Sequence, residues 1–343
     1  GAIAQAGYGH LVFCGLGVRL LTYQHPERGG DAFANWGAAK WIRNGTDYDI
    51  HHKASRLGIL LPAVGMQTVF GEGPFVYSFA PIMAYLVVLV CSFLIAYRLA
   101  GRIPALMVSV LLLLFPAFGR AGSQLKPGIF LAAYLTLMTL LVVLYLKRRH
   151  WAYLLLAGMS LGFCYMSKFT ALFVLPGLVL LLLTERVSAK HLACFALGFL
   201  AVYGGEHAYY AQMGLPGGRF QHLWQVSQHG TNTPVQLRRM GLELPGHMKE
   251  KVQRTAISDW GDAGKFFQRY MPKYAGKRWT VAFMYWIVGS AYLFFLASAR
   301  FRAPVLIMGS HVVFNTLAIR GVSPVRLLTQ PHSRYLVIYG GLI

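Results

Sequence analysis

The sequence predicts a polytopic α-helical membrane protein, and two observations carry that prediction. Only 13% of the residues are charged and 56% are hydrophobic, with a mean hydropathy of +0.49. A soluble domain carries about 25% charged residues. Segments free of Asp, Glu, Lys and Arg also recur along the 343 residues, at 73–97, 103–119, 127–146, 151–167, 169–184, 192–205, 279–299 and 303–319, and 335–343 begins another. With Ala2–Thr22 in front, interrupted by Arg19, they make about ten spans, set against the roughly 20 apolar residues that cross a bilayer. Lipid admits only helices and closed barrels, and barrel strands alternate rather than run apolar.

The ends and the cysteines say less. Residue 1 is Gly and the chain stops at "YLVIYGGLI", so it reads as one transmembrane domain, 1–343, within a longer protein, without a cleavable leader. Cys14, Cys91, Cys164 and Cys194 all fall in apolar spans, which argues against a disulfide framework.

Threading the spans in alternation collects the short links "YRLAGR", "KRRH", "ERVSAK" and "ARFR" on one side. The positive-inside rule makes that side cytoplasmic. The opposite side receives two long loops, 23–72 and 206–278, and three short turns. It carries 22 Lys/Arg against 10 acids, a balance of about +12. Such a surface suits anionic headgroups, an acidic partner subunit or a phosphorylated lipid. Nucleic acid is excluded as a partner, because the basic residues are divided among membrane-edge turns without a motif. The second loop, rich in basic and aromatic residues with Pro and Gly breaks, is expected to lay interfacial helices on the outer leaflet.

Lys168 lies in this pattern at a tight turn between 151–167 and 169–184. A lone Lys at a helix end ordinarily snorkels to the interface, whereas an ionisable residue at membrane depth marks a functional site. Lys126 in "GRAGSQLKPG", Arg56 in "SRLGILLP" and Arg219 in "RFQHLW" repeat the feature on the same side, and together they suit a phosphate. In the first loop, "NGTDYDIHHK" offers Asp47, Asp49 and His51 as candidate ligands of a divalent metal; the stretch also reads as an Asx turn after Asn44-Gly45.

Several stretches carry a resemblance when taken in order: "ERGGDAFANWGAAKWIRNG", "RLGILLPAVGMQTVFGEGPF", "YRLAGRIPALMVSVLLLLFPAFGRAGSQLKPG", "GMSLGFCYMSKFTALFVLPGLVLLLL" and "EHAYYAQMGLPGGRF". Over residues 10–225 the chain resembles the GT-C superfamily of polytopic glycosyltransferases, in the branch of protein O-mannosyltransferases and aminoarabinose transferases (family 39). The resemblance implies a bundle of about ten helices with two long extracytoplasmic loops, in a plasma membrane such as the bacterial inner membrane. It implies transfer of a sugar from a polyprenyl-phosphate donor to an acceptor hydroxyl on the outer side. That chemistry needs a carboxylate to take the acceptor proton and fixed cations on the phosphate leaving group.

Asp31 falls where the family has its catalytic acid, although Asp is also a favoured helix N-cap. Where the family has a second acid beside a proline, this chain reads Lys126-Pro127-Gly128. Glu206 is a candidate replacement, or else a partner of a nearby cation. Arg56, Lys126, Lys168 and Arg219 are the candidate phosphate ligands. The missing acid keeps two alternatives open: a non-catalytic subunit of a larger membrane complex, and a transporter or flippase for an anionic lipid. No cofactor beyond the candidate metal is specified.

Overall fold

The computed structural model describes residues 31–45, 55–114, 121–219 and 301–320, with Gly17, Phe118 and Ser298 besides. For Asp31, Pro74, Phe169 and residues 312–320 it describes the backbone alone. Among these residues the chain is helical and contains no strand. In order come α1 (Asp31–Asn44), α2 (Leu57–Phe70), α3 (Pro74–Ala100), α4 (Arg102–Leu114), α5 (Pro127–Arg148) and α6 (Trp151–Ser167). A 3₁₀ segment (Phe169–Val174) follows, then α7 (Leu175–Thr184), α8 (Ala189–Gln212) and α9 (Arg302–Arg320).

Phe75–Ala100 and Pro127–Arg148 are long and apolar enough to cross a membrane, and four shorter apolar helices accompany them. The apolar runs 2–22, 279–299 and 335–343 lie outside the described residues.

Helix boundaries follow local chemistry. Pro74 and Pro127 stand at the first position of α3 and α5, where a missing N–H costs nothing. Gly101 ends α3 at φ 94°, a conformation cheap only for glycine. The apolar run 169–184 departs from a single helix. It opens as 3₁₀ and becomes α-helical only at Leu175, because Pro176 cannot donate back into the preceding turn.

α3 and α5 run parallel, with Cys91 and Ile95 packed on Leu140 and Ser78 Oγ donating to the Ser123 carbonyl at 3.4 Å. α6 and α8 are also parallel and come into backbone contact. A Cβ on Gly158 would stand 2.0 Å from the Phe195 carbonyl oxygen, and one on Gly198 would stand 2.0 Å from that of Leu155. Small residues at such a crossing let the helices approach closely, which is the usual device of lipid-embedded packing. α7 runs antiparallel to α9, where Gly177 faces the Leu306 carbonyl and Ser310 Oγ donates to that of Val174 at 3.1 Å.

These directions gather the links at 100–102, 149–150 and 185–188, with the start of α9, at one end of the bundle. There the Glu185 carboxylate forms ion pairs with Arg149 at 3.7 Å and Arg302 at 3.8 Å. The opposite end holds Arg56, Lys126, Lys168, Glu206 and Arg219. Cys91, Cys164 and Cys194 are free thiols.

α1 is tied to this second end. Asn35 is fully buried and donates to the Leu125 carbonyl at 2.8 Å, next to Lys126. Glu72, in the α2–α3 link, pairs with Lys40 at 2.7 Å and with Arg43. The Lys40 hydrogen bond, ahead of the other contributions, holds the Glu72 carboxyl below its usual range. A carboxylate whose folded pKa is depressed stabilises the fold above its unfolded pKa, and loses that contribution as pH falls through the folded value. Protection factors against hydrogen exchange in α1 should therefore fall below about pH 4.5, and Glu72→Gln should remove that fall.

Candidate functional site

The site forms where the start of α2 meets the ends of α6 and α8. Leu57, Tyr165, Met166 and Tyr210 pack there as one buried cluster. Gly58 sits hard against α6: a Cβ there would come within 2.3 Å of Ser167 Oγ and 2.5 Å of the Phe163 carbonyl oxygen. Tyr134 Oη, from α5, donates to the Gly58 carbonyl at 3.0 Å. That close approach fixes Arg56, the residue before α2, whose carbonyl accepts from Ile59 N at 2.9 Å and Leu60 N at 3.1 Å.

Lys168 ends α6 in extended backbone (φ −159°, ψ 126°), its amide still donating to the Cys164 carbonyl at 3.0 Å. Stopping the helix there places its side chain at the junction with the 3₁₀ segment. Arg56 and Lys168 are both half-buried and close enough for the Arg56 charge to act on the ammonium. Burial first, and Arg56 second, push the Lys168 pKa below its ordinary value. Two like charges held together out of water disfavour one another. An anion between them would reverse that cost.

His311 of α9, 1% exposed, lies against Lys168 and Thr170. Nothing in the apolar run 303–319 marks it, because its neighbour in space is 143 residues away in sequence.

Glu206 and Arg219 occupy the other flank of Tyr165 and are 2% and 7% exposed. Arg219 Nη1 donates to the Tyr165 carbonyl at 2.7 Å and stands 3.7 Å from Glu206 Oε1, while its guanidinium lies 5.2 Å from the Tyr165 ring centre. Arg219 is thereby engaged with Glu206, as a buried pair must be to offset its desolvation. Sequence proximity alone does not show this.

Lys126 precedes α5, and its ammonium donates to Gln124. Asp31 is the first residue of α1, one turn before Asn35 and its anchor at Leu125. The candidate metal ligands Asp47, Asp49 and His51 lie outside the described residues. Among the described residues no cluster of His, Cys, Asp and Glu could hold a metal ion.

Residues 62–204 match the family model of the dolichyl-phosphate-mannose-protein mannosyltransferases. This part of the chain belongs to that family, within the GT-C superfamily. The match covers α3 to α7 whole and most of α2 and α8. With the apolar helices, the match points to an integral membrane protein and supports a glycosyltransferase of the GT-C type. No curated protein matches the chain.

Proposed function

We propose that the protein transfers a glycosyl group from a polyprenyl-phosphate donor to an acceptor hydroxyl on the extracytoplasmic face, the face at which Lys168 stands. The observation that carries this reading is the Arg56–Lys168 pair, two half-buried cations brought together by the Gly58–Ser167 contact. A phosphate held between them would draw on both charges, and fixed cations are what a phosphate leaving group needs in the transition state. Lys126 stands at the same end, at the start of α5.

In this reading the donor phosphate lies between Arg56 and Lys168 with its prenyl chain in the bilayer. Asp31 accepts the proton of the attacking hydroxyl. Negative charge developing on the phosphate as the glycosidic bond breaks is met by groups already in place, so no reorganisation is needed as it forms.

The testing experiment is Lys168→Met in a lipid nanodisc, read as affinity for undecaprenyl phosphate. Met keeps the packing and removes the charge. A charge-assisted contact is worth about 1.5–3 kcal/mol, so affinity should fall roughly ten- to a hundredfold. Lys168→Arg should retain part of the binding, with altered donor geometry. Equal affinities for wild type and the Met variant would leave Lys168 as an interface anchor.

A pH dependence follows from the lowered Lys168 pKa. Phosphate binding needs the ammonium, so it should weaken as pH rises, beginning below the value at which an ordinary lysine titrates, 10.5. Lys168→Arg should abolish that alkaline loss. A pH series of the same binding measurement checks this.

One observation favours a second reading. The start of α5 carries Lys126, Pro127 and Gly128 where the family has an acid, and a GT-C-like subunit without catalysis would show the same gap. Such a subunit would bind the lipid phosphate as above and show no transfer.

A further inference from the structure

Where α6 stops, its last carbonyls have no helical N–H ahead of them. That of Cys164 takes the Lys168 amide at 3.0 Å, and that of Tyr165 takes Arg219 Nη1 at 2.7 Å. The Lys168 carbonyl in turn accepts from the Ala171 amide at 3.0 Å. The backbone of Lys168 is thus held on both sides, and the helix end it follows is closed by a cation. A positive charge there also suits the negative end of the helix dipole.

Arg219 reaches that carbonyl by a built route. Gly214 ends α8 in the left-handed region (φ +76°), with Leu215 N donating to the Tyr210 carbonyl at 2.9 Å and Gly214 N to that of Ala211 at 3.1 Å. This pair of bonds is a Schellman cap, and Leu215 adds its hydrophobic contact on the Tyr210 cluster. A second left-handed glycine, Gly218 (φ +66°), follows. A Cβ there would stand 2.6 Å from His207 Nδ1, so the chain has doubled back along α8. Arg219 then lies between α8 and α6, its guanidinium carbon 5.2 Å from the Tyr165 ring centre and Nη1 3.7 Å from Glu206 Oε1. Arg219 and Glu206 are both more than nine-tenths buried, enclosed by these contacts rather than open to a ligand.

We propose that Arg219, held by Glu206, is a positioning residue for Lys168: it caps α6 and so fixes the root of the lysine that meets the phosphate. A lysine stem is flexible, so its ammonium is confined only as well as the backbone it grows from. The Gly58–Ser167 contact brings up Arg56 on one flank of α6, and the Arg219 cap secures Lys168 on the other. The inference rests on the phosphate site proposed above and gives Arg219 a part in it without contact with the lipid.

Two measurements on the full chain in nanodiscs test it: hydrogen exchange across the junction of α6 with the 3₁₀ segment, and affinity for undecaprenyl phosphate. Arg219→Gln should speed exchange of the Lys168 amide roughly tenfold, the effect of one lost charge-assisted hydrogen bond, and leave the middle of α6 unchanged. It should weaken phosphate binding by about three- to tenfold, in the range of couplings between residues in contact. Arg219→Lys, which keeps a cation on the Tyr165 carbonyl, should restore both. In a Lys168→Met background Arg219→Gln should cost nothing further, whereas in an Arg56→Gln background its full effect should persist. A further loss beside Lys168→Met would make Arg219 a ligand in its own right and overturn the proposal, as would unchanged exchange at Lys168. Should Arg219→Gln not fold, Glu206→Gln, which loosens the same pair, takes its place with the same expectations. If wild type binds no undecaprenyl phosphate, the phosphate site falls, and the exchange result alone decides whether Arg219 places Lys168.

Discussion

Asp31→Asn is expected to lower glycosyl transfer by about 10²–10⁴-fold, the usual contribution of a positioned general base, while leaving lipid-phosphate affinity unchanged. Asn keeps the shape and the helix-capping capacity of Asp, so α1 should begin where it does now and Asn35 should hold the Leu125 carbonyl. Only proton affinity is lost. The placement makes this separation credible. α1 is fixed to the start of α5 through Asn35, and to the α2–α3 link through Lys40, Arg43 and Glu72, so a change at its first residue has other anchors to fall back on.

Transfer from a polyprenyl-phosphate sugar, measured with lipid-phosphate binding on the same preparation, checks the prediction. Near-normal turnover would move the base to Glu206 or to Asp47 and Asp49. No turnover in wild type, with phosphate binding intact, would favour the non-catalytic reading raised by Gly128.

How much of this was readable in the sequence depends on the range of the interaction. The apolar runs at 73–97, 127–146 and 151–167 coincide with α3, α5 and α6 to within a few residues, because burial in lipid and helix formation are both local demands on a segment. The break in 169–184 was also written locally, in Pro176, but an apolar count passes over it.

Lys168 stood out because a charge in a long apolar run is conspicuous by itself. Its neighbours did not. Arg56 reaches it through Gly58 on Ser167, more than 100 residues away in sequence, and His311 reaches it from α9. Asn35 looks like an ordinary residue of an amphipathic helix; only its fully buried amide on Leu125 shows that it positions α1. Glu206 and Arg219 were both visible as candidates, one for proton transfer and one for phosphate. Sequence assigns roles singly, and the pairing of the two is a property of the folded chain.

Glycine shows the limit most sharply. Gly158, Gly198, Gly204 and Gly205 all lie in apolar helices and look alike in sequence, yet their surroundings are opposite. A Cβ on Gly158 or Gly198 would meet a backbone carbonyl at 2.0 Å, whereas nothing lies within 4 Å of one on Gly204 or Gly205. Gly158→Ala should therefore be severe. The obstructing atom is main chain, so no rotamer change relieves it and α6 must move off α8.

Overpacking of this kind costs about 1–3 kcal/mol and occasionally more; with no flexible side chain to yield, the upper end is expected. Gly204→Ala should be neutral or stabilising, since Ala favours an exposed helix by about 1 kcal/mol over Gly. Thermal unfolding of the two variants in one detergent, followed by tryptophan fluorescence, makes the comparison, and equal midpoints would mean the helices do not touch at Gly158. The functional consequence is directional. α6 carries Tyr165 and Lys168 and α8 carries Glu206, so separating them loosens the hold of Arg219 on the Tyr165 carbonyl. Any folded fraction of Gly158→Ala should still bind lipid phosphate, because the Gly58–Ser167 contact that brings Arg56 to Lys168 does not involve α8.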